Sequence, residues 1–237
     1  MITGTTQYII DAVCDQLGLP REILVAGLIG QVGTQALSLL NTLGTDLIKT
    51  HDWQFLEEIA TLNGDGVTSE FDLPADFGRV VNQTEWSSNN KLPMEGPLSP
   101  QAWGWVKYGI VSAGVFYRYR ILGNKFAIFP TPSSGETFNF FYIKKNWVLD
   151  DDGVTYKDTT DAELDIPQFD RNLLIKGLKV YLWGQKGFDT TSLLKEFDDE
   201  LALEKAQTQG AAAINLSSTR NSILLDPRRN IPDGDWN

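Results

Sequence analysis

Hydrophobic residues recur along this 237-residue chain with two different periods, and the places where the period switches limit the folds open to it. Apolar side chains three to four apart cover one stripe of a helix, whereas strict alternation covers one face of a strand. Ile9, Val13 and Leu17 are four apart; Thr5 or Thr6 is placed to cap their helix, and Gly18 and Pro20 to stop it. From Thr34 the helical period runs through Leu39, Leu40, Leu43, Leu47 and Ile48 to Trp53 and Phe55. Between these two runs stands GLIGQVG, whose Gly27, Gly30 and Gly33 each cost about 1 kcal/mol in a helix interior. That stretch is a loop or a closely packed helix. Its glycine spacing differs from GxGxxG and no strand precedes it, which argues against a nucleotide fingerprint.

Alternation then takes over. Asn63-Gly64-Asp65-Gly66 reads as a hairpin turn. In VFYRYRI, Val115, Tyr117, Tyr119 and Ile121 fall on one strand face, with Phe116, Arg118 and Arg120 on the other. KFAIF (125–129) follows a Gly-Asn turn, and TFNFFYIKKNW (137–147) is a third aromatic strand, apolar on both faces from Phe140 to Ile143. Ser99 with Pro100 marks the start of a local helix reaching Lys107. The helical period returns at Phe169. Leu173, Lys176, Val180 and Trp183 share one face, with Leu174, Leu178, Tyr181 and Leu182 close by. Asp189 or Thr190 caps a last helix with Leu193, Leu194, Phe197, Leu201 and Ala206 as its apolar stripe.

This order predicts an α+β fold: an α-helical bundle with a β-rich insertion domain and an extended C-terminal arm. Residues 1–58 supply the N-terminal helices, 59–166 the insertion, 167–216 the C-terminal helices and 217–237 the arm. The arm cannot fold alone. Pro227 and Pro232 remove backbone donors, Asp233-Gly234 marks a turn, and the only apolar cluster is Ile223-Leu224-Leu225. Three arginines there (Arg220, Arg228, Arg229) balance Asp226, Asp233 and Asp235.

The formal charge of −11 argues against tight binding to nucleic-acid phosphates, which needs clustered Lys and Arg. It leaves room for DNA to pass nearby without sticking. One cysteine, Cys14, excludes an internal disulfide framework, and one histidine, His51, excludes a multi-histidine metal centre. The start of the chain lacks the basic and apolar regions of a secretion signal, so residence in a cytoplasm, or in whatever assembly carries the protein, is expected. Residues 150–165 hold seven acids against Lys157, and a solvated acidic loop is the expectation. The DDDG within it fails the calcium-loop pattern because Val148 stands at the first ligand position.

Enzyme signatures are missing: no G-x-S-x-G elbow, no P-loop, no H-E-x-x-H. His51, at the end of a long helix among aromatics, reads as a structural or capping residue. No catalytic residue, metal or cofactor is expected. Trp86, Trp103, Trp105, Tyr108, Tyr117, Tyr119 and Trp147 are numerous enough for a sugar-stacking platform, as in a carbohydrate-binding β module. Filling a sheet core is the commoner use of such residues.

WQFLEEIATLNGDGVTSEFDLPADFGRVVN (53–82) is more specific. A helix end bearing Trp-x-Phe-Leu is followed by a strand, a tight turn, a second strand and Asp-Leu-Pro-Ala-Asp-Phe-Gly-Arg-Val. Pro74 ends the strand EFDL, Asp76 is placed to satisfy free amides after the turn, Phe77 returns to the core, and Gly78 permits a positive φ. This segment, with the opening TTQYIIDAVCDQLGL, resembles the head-to-tail adaptor proteins of tailed bacteriophages, the short-tailed type especially. The glycines of GLIGQVG depart from the polar helix start usual there. The resemblance implies a non-enzymatic virion protein made in the host cytoplasm. It implies a homo-oligomeric ring, twelve-fold to match the portal, that binds the portal protein and a downstream tail or nozzle protein and lets DNA through its lumen. The arm is then a portal-docking segment, with Arg220, Leu224, Leu225, Arg228, Arg229, Ile231 and Trp236 as contacts. Another neck or tail-completion protein is the alternative within the same class.

Overall fold

A computed structural model describes residues 3–21, 30–109 and 116–208. Helices flank a series of antiparallel strands, so the fold is α+β. Helix α1 (Thr6–Leu17) starts where Thr5 accepts a bond from the Tyr8 amide and ends at Gly18, which takes the left-handed conformation at φ 67°. Helix α2 (Gln31–Thr50) begins three residues earlier than its leucine period, after Gly30, and Gly33 lies buried within it. It stops at Thr50, and a single 3₁₀ turn (Gln54–Leu56) carries the chain onward from the fully buried Trp53.

Strand β1 (Glu57–Asn63) leads through the Asn63–Gly66 turn to β2 (Glu70–Asp72), β3 (Phe77–Val80), β4 (Trp86–Ser87) and β5 (Leu92–Pro93). Helix α3 (Pro100–Tyr108) follows, with Ser99 as its cap and Pro100 in the first turn. Then come β6 (Arg118–Leu122), β7 (Lys125–Phe129), β8 (Thr137–Lys144), β9 (Val148–Leu149), β10 (Tyr156–Lys157) and β11 (Ile166–Pro167). Helices α4 (Arg171–Gln185) and α5 (Thr191–Thr208) complete the described chain, capped by Asp170 and Asp189.

The Asn63–Gly66 turn does not make a hairpin. Strand β1 pairs with β8 in seven continuous steps, from Glu57 opposite Ile143 to Asn63 opposite Thr137. Strand β2 instead pairs with β7, which pairs with β6. The Asp65 carboxylate accepts the amides of Val67 and Thr68, and Gly66 takes a φ of 87°, so the turn redirects the chain to a second sheet. Local turn chemistry says that a chain reverses; it does not say which strand it then meets.

Two hydrophobic clusters result. One is made by the helices, with Ile10, Leu40, Leu47, Trp53, Phe169 and Leu178 among its members. The other lies between the sheets, around Tyr119, Phe126, Phe138 and Phe140, with rings stacked at 4.8 Å across Tyr119–Phe126 and 4.7 Å across Phe126–Phe140. Strand β8 serves both: Phe138, Phe140 and Tyr142 belong to the second cluster, while Ile143 belongs to the first. That division explains a strand apolar on both faces. Each large side chain so buried contributes about 1.5–3 kcal/mol.

Trp147 and Val148, just past β8, also sit among the helices. Gly44 makes this possible, because a methyl group there would come within 2.2–2.5 Å of the Trp147 indole. In α4 the buried stripe is Leu174, Leu178 and Leu182 with Leu173 and Gly177, rather than the Lys176–Val180–Trp183 face. That face is half-covered by α5, to which Lys176 and Lys179 are ion-paired through Glu200 and Glu196. In α5, Phe197 and Leu201 pack inward as expected, but Leu194 and Ala206 face outward and Glu204 is buried. Among the described residues, no helix is long and apolar enough to cross a membrane.

Candidate docking surfaces and the helix–sheet junction

The Leu73–Val80 segment joins the two clusters. Leu73 is buried, and the Phe77 amide donates to the Pro74 carbonyl at 3.0 Å, closing the turn. Phe77 packs at a tilt against Tyr142, with ring centroids 5.7 Å apart. The Asp76 side chain does not hold the turn amides; its carboxylate accepts the Tyr142 hydroxyl at 3.0 Å, and its carbonyl accepts the Lys145 amide. Burial, then the bond to Asp76, raises the Tyr142 pKa above the usual phenol value. Gly78 is needed for close approach rather than for a positive φ: a methyl there would lie 2.7 Å from the Ile143 carbonyl oxygen, where the β3–β8 register shifts.

Arg79 is the residue whose role the sequence concealed. Its guanidinium donates to the His51 carbonyl at 2.8 Å, reaches the Ile48 carbonyl at 3.4 Å and pairs with Asp52. It is thus a cation at the C-terminal end of α2, where helix carbonyls lack intrahelical partners and the dipole favours positive charge. A sheet residue caps a helix of the bundle. The sequence around Arg79 gives no signal of this role, because the helix end that it caps lies 28 residues earlier.

His51 is the residue after α2, as a structural reading expected. Its ring meets Trp53 edge-on at 5.2 Å. Burial lowers its pKa, Asp52 opposes this, and Lys205 and Arg79 add to the lowering. The buried His51 Nε2 and Arg79 Nε have no hydrogen-bond partner. Among the described residues no nucleophile is paired with this ring.

The acidic connection is more ordered than a solvated loop. Lys157 contacts Asp150 at 2.9 Å and Asp165 at 2.8 Å, and also pairs with Asp161. Burial alone would lower the Lys157 pKa, but bonds to Asp161, Asp165 and Asp150 outweigh it and raise it. Asp165 is fully buried and accepts the amides of Asp161 and Ala162. Thr160 bonds Thr6 of α1 at 2.6 Å and exchanges bonds with Asn41 of α2. The connection is therefore latched to two helices. Only the far end keeps the expected character: Asp152 is occupied by the Val154 and Thr155 amides and the Thr155 hydroxyl, an Asx turn rather than a calcium loop.

Asp170, Glu200 and Glu204 bring carboxylate oxygens within 4.8 Å of one another, a spacing that a divalent cation would tolerate. Asp170 caps α4 and Glu200 pairs with Lys176. Burial, then Asp170 and Glu200, raises the Glu204 pKa.

The seven aromatics do not form one platform. Trp103, Tyr119 and Trp147 are buried, Trp86 and Tyr117 half-buried, and only Trp105 and Tyr108, three apart on α3, are exposed. Tyr119 donates to the buried Glu85, and burial first, then this bond, holds its pKa well up. The predicted docking residues Arg220, Leu224, Leu225, Arg228, Arg229, Ile231 and Trp236 lie outside the described residues. So does Val115 of the VFYRYRI strand.

A surface that the sequence did not flag is the free edge of β1, which among the described residues pairs with β8 alone. The Phe141 amide and carbonyl bond Thr84 and Val81, and the Thr137 carbonyl bonds Ser88, all on the side away from β1. Antiparallel alternation then turns Glu58, Ala60 and Leu62 toward β8 and leaves the main-chain groups of Ile59 and Thr61 facing outward. The Ile59 side chain is 55% exposed beside its cross-strand partner Phe141.

This architecture is an α+β fold whose helices and sheets are joined through the LPADFGR segment. The SU10 adaptor protein family model matches residues 5–229, and the chain belongs to that family of phage structural adaptors. A search of curated proteins returned no match.

Proposed function

We propose that the protein is one subunit of a ring joining the portal to the tail of a short-tailed phage, with DNA passing through the lumen during ejection. The observation that carries this reading is the family match across residues 5–229, which takes in both helical blocks and the sheets between them. Twelve subunits would match the portal. A downstream tail or nozzle protein would bind the other face. The role is structural, without enzymatic turnover or cofactor.

The acidic balance supports a channel that repels DNA weakly and offers it no place to stick. Residues 217–237 act as the docking arm in this reading. Leu224, Leu225, Ile231 and Trp236 bury apolar surface on the partner, and Arg220, Arg228 and Arg229 pair with carboxylates through the planar guanidinium fork. The sugar-binding reading loses support, because three of its seven aromatics are core residues.

The test is to mix the purified chain with the cognate portal protein and image the product by cryo-electron microscopy. A twelve-fold ring on the portal is expected. A chain that stays monomeric and never joins the portal would refute the reading.

A further inference from the structure

We propose that in the assembled ring the free edge of β1 is completed by residues 222–226 of a second copy's C-terminal segment, added as an outer strand. The inference rests on the ring reading above and names the surface that one part of the arm occupies.

The edge is unusually open for a natural sheet. Edge strands are normally blunted by lysine, proline, a bulge or a cover, because unpaired main-chain groups recruit other chains. Among the described residues strand β1 shows no lysine, proline, bulge or cover: its seven steps with β8 are continuous, and Ile59 stands exposed at its middle. No described residue bonds the outward main-chain groups of Ile59 or Thr61. Among the described residues its ends stay acidic on balance: Glu57 and Glu58 stand at the start, with Lys144 of β8 paired to Glu58 at 2.9 Å, and Asp65 lies in the turn that follows. Asp65 stays ionised, since bonds from Thr68 and Val67 hold its pKa down at about 2.

The occupant follows from chemistry and reach. Of the two apolar runs between Thr208 and Pro227, Ala211-Ala212-Ala213-Ile214 is mostly alanine, a residue depleted in strands, which leaves Ser222-Ile223-Leu224-Leu225-Asp226, and five residues is an ordinary strand length. Proline halts pairing beyond it. Arg220 stands before the run and Arg228 and Arg229 after it. Basic flanks therefore meet acidic flanks whichever way the strand runs. Glu204, near the end of α5, brings its carboxylate within 4.8 Å of that of Asp170, and the adjacent Phe169 meets Trp53 at 5.4 Å, so α5 finishes beside the junction from which β1 departs. From Thr208 to Ser222 is 222 − 208 = 14 residues, or about 46–50 Å when extended. Strand β1 itself is about 23 Å long. The connector thus outreaches the strand at whose start it leaves, far enough for a neighbour. A ring contact joins two different surfaces, one from each side of the subunit, and a strand passed to the next copy's edge is such a contact. Residues beyond Pro227, with Arg228, Arg229, Ile231 and Trp236, remain available for the portal.

The test uses full-length chains assembled on portal protein from two populations, one carrying Ile59→Cys and the other Leu224→Cys or Leu225→Cys, the two positions covering both strand faces. Cys14 is buried. Mild oxidation is expected to link the two populations in assembled rings and not in free subunits. In parallel, amide exchange at Ile59 and Thr61 is expected to slow by about tenfold or more on assembly of the intact chain. Rings that form with no link and unchanged exchange would overturn the strand while leaving the ring reading intact. A link within single chains, or protection already complete in the free subunit, would also overturn it. Failure to form rings at all would remove both proposals.

Discussion

Replacing Arg79 by alanine tests whether the sheet holds the helical block by capping it. The arginine donates at 2.8 Å to the His51 carbonyl, reaches the Ile48 carbonyl at 3.4 Å and pairs with Asp52. A hydrogen bond from a charged donor contributes about 1.5–3 kcal/mol. The ion pair, with half of the Asp52 side chain in solvent, adds only about 0.2–1 kcal/mol. Arg79→Ala should therefore cost about 2–3 kcal/mol. For a chain of this size that lowers the melting temperature by about 4–12 °C. Asp52→Asn removes the ion pair but leaves both carbonyl contacts, so its cost should stay below about 1 kcal/mol. Arg79→Lys should fall between the two, because one ammonium cannot span three acceptors as a planar fork does. Thermal melts followed by circular dichroism read all three. If Arg79→Ala and Asp52→Asn melt together, the carbonyl cap contributes nothing and the account of the junction is wrong.

Gly44→Ala should destabilise by about 1–3 kcal/mol in the same assay, since its methyl would fall within 2.2–2.5 Å of the Trp147 ring; an unchanged melting point would refute the packing argument. The His51 pKa is lowered in the folded state, chiefly by burial, so the unfolded chain binds the extra proton and stability is retained above the ordinary histidine pKa of 6.5 and lost as pH falls below it. His51→Asn should flatten that acid-side decline, and an identical pH profile would count against it. Truncation after Asn215 should shift the monomer's stability by no more than about 0.5 kcal/mol yet abolish attachment to the portal; a large loss of monomer stability would mean the segment belongs to the folded body.

Features that one segment decides alone were legible in the sequence. Thr5 and Gly18 bound α1, Ser99 and Pro100 open α3, and Gly123-Asn124 turns β6 into β7, because caps and turns need only their own few residues. What depends on a distant partner was not. The Asn63–Gly66 turn looked like a hairpin, but β8, more than seventy residues on, supplies the partner of β1. Asp165 looked like one acid among seven, but Lys157, the amides of Asp161 and Ala162 and the Thr160 hydroxyl offset its burial, in a connection that the distant Thr6 and Asn41 latch to the helices. Gly78 was assigned the wrong reason, since close backbone approach across a bulge leaves the same residue type as a positive φ. Arg79 carries no local signature, because the carbonyls it caps end a helix built from residues 31–50.

The rung at Ile143 shows how the two hydrophobic clusters are held to one another. Glu57 of β1 and Arg79 of β3 flank Ile143 in register, on either side of β8. Ile143 is fully buried among the helices, while its neighbour Tyr142 faces the sheets and bonds Asp76. Tilting the sheets away from the helices would pull Ile143 into water, at about 1.5–3 kcal/mol. The same motion would strip Arg79 from the carbonyls of α2. Because one rung carries both the apolar plug and the capping cation, the two losses come together rather than in sequence. A hinge at this point is therefore costly. In the proposed ring, a neighbouring copy is better met away from this rung, at the outward edge of Ile59 and Thr61.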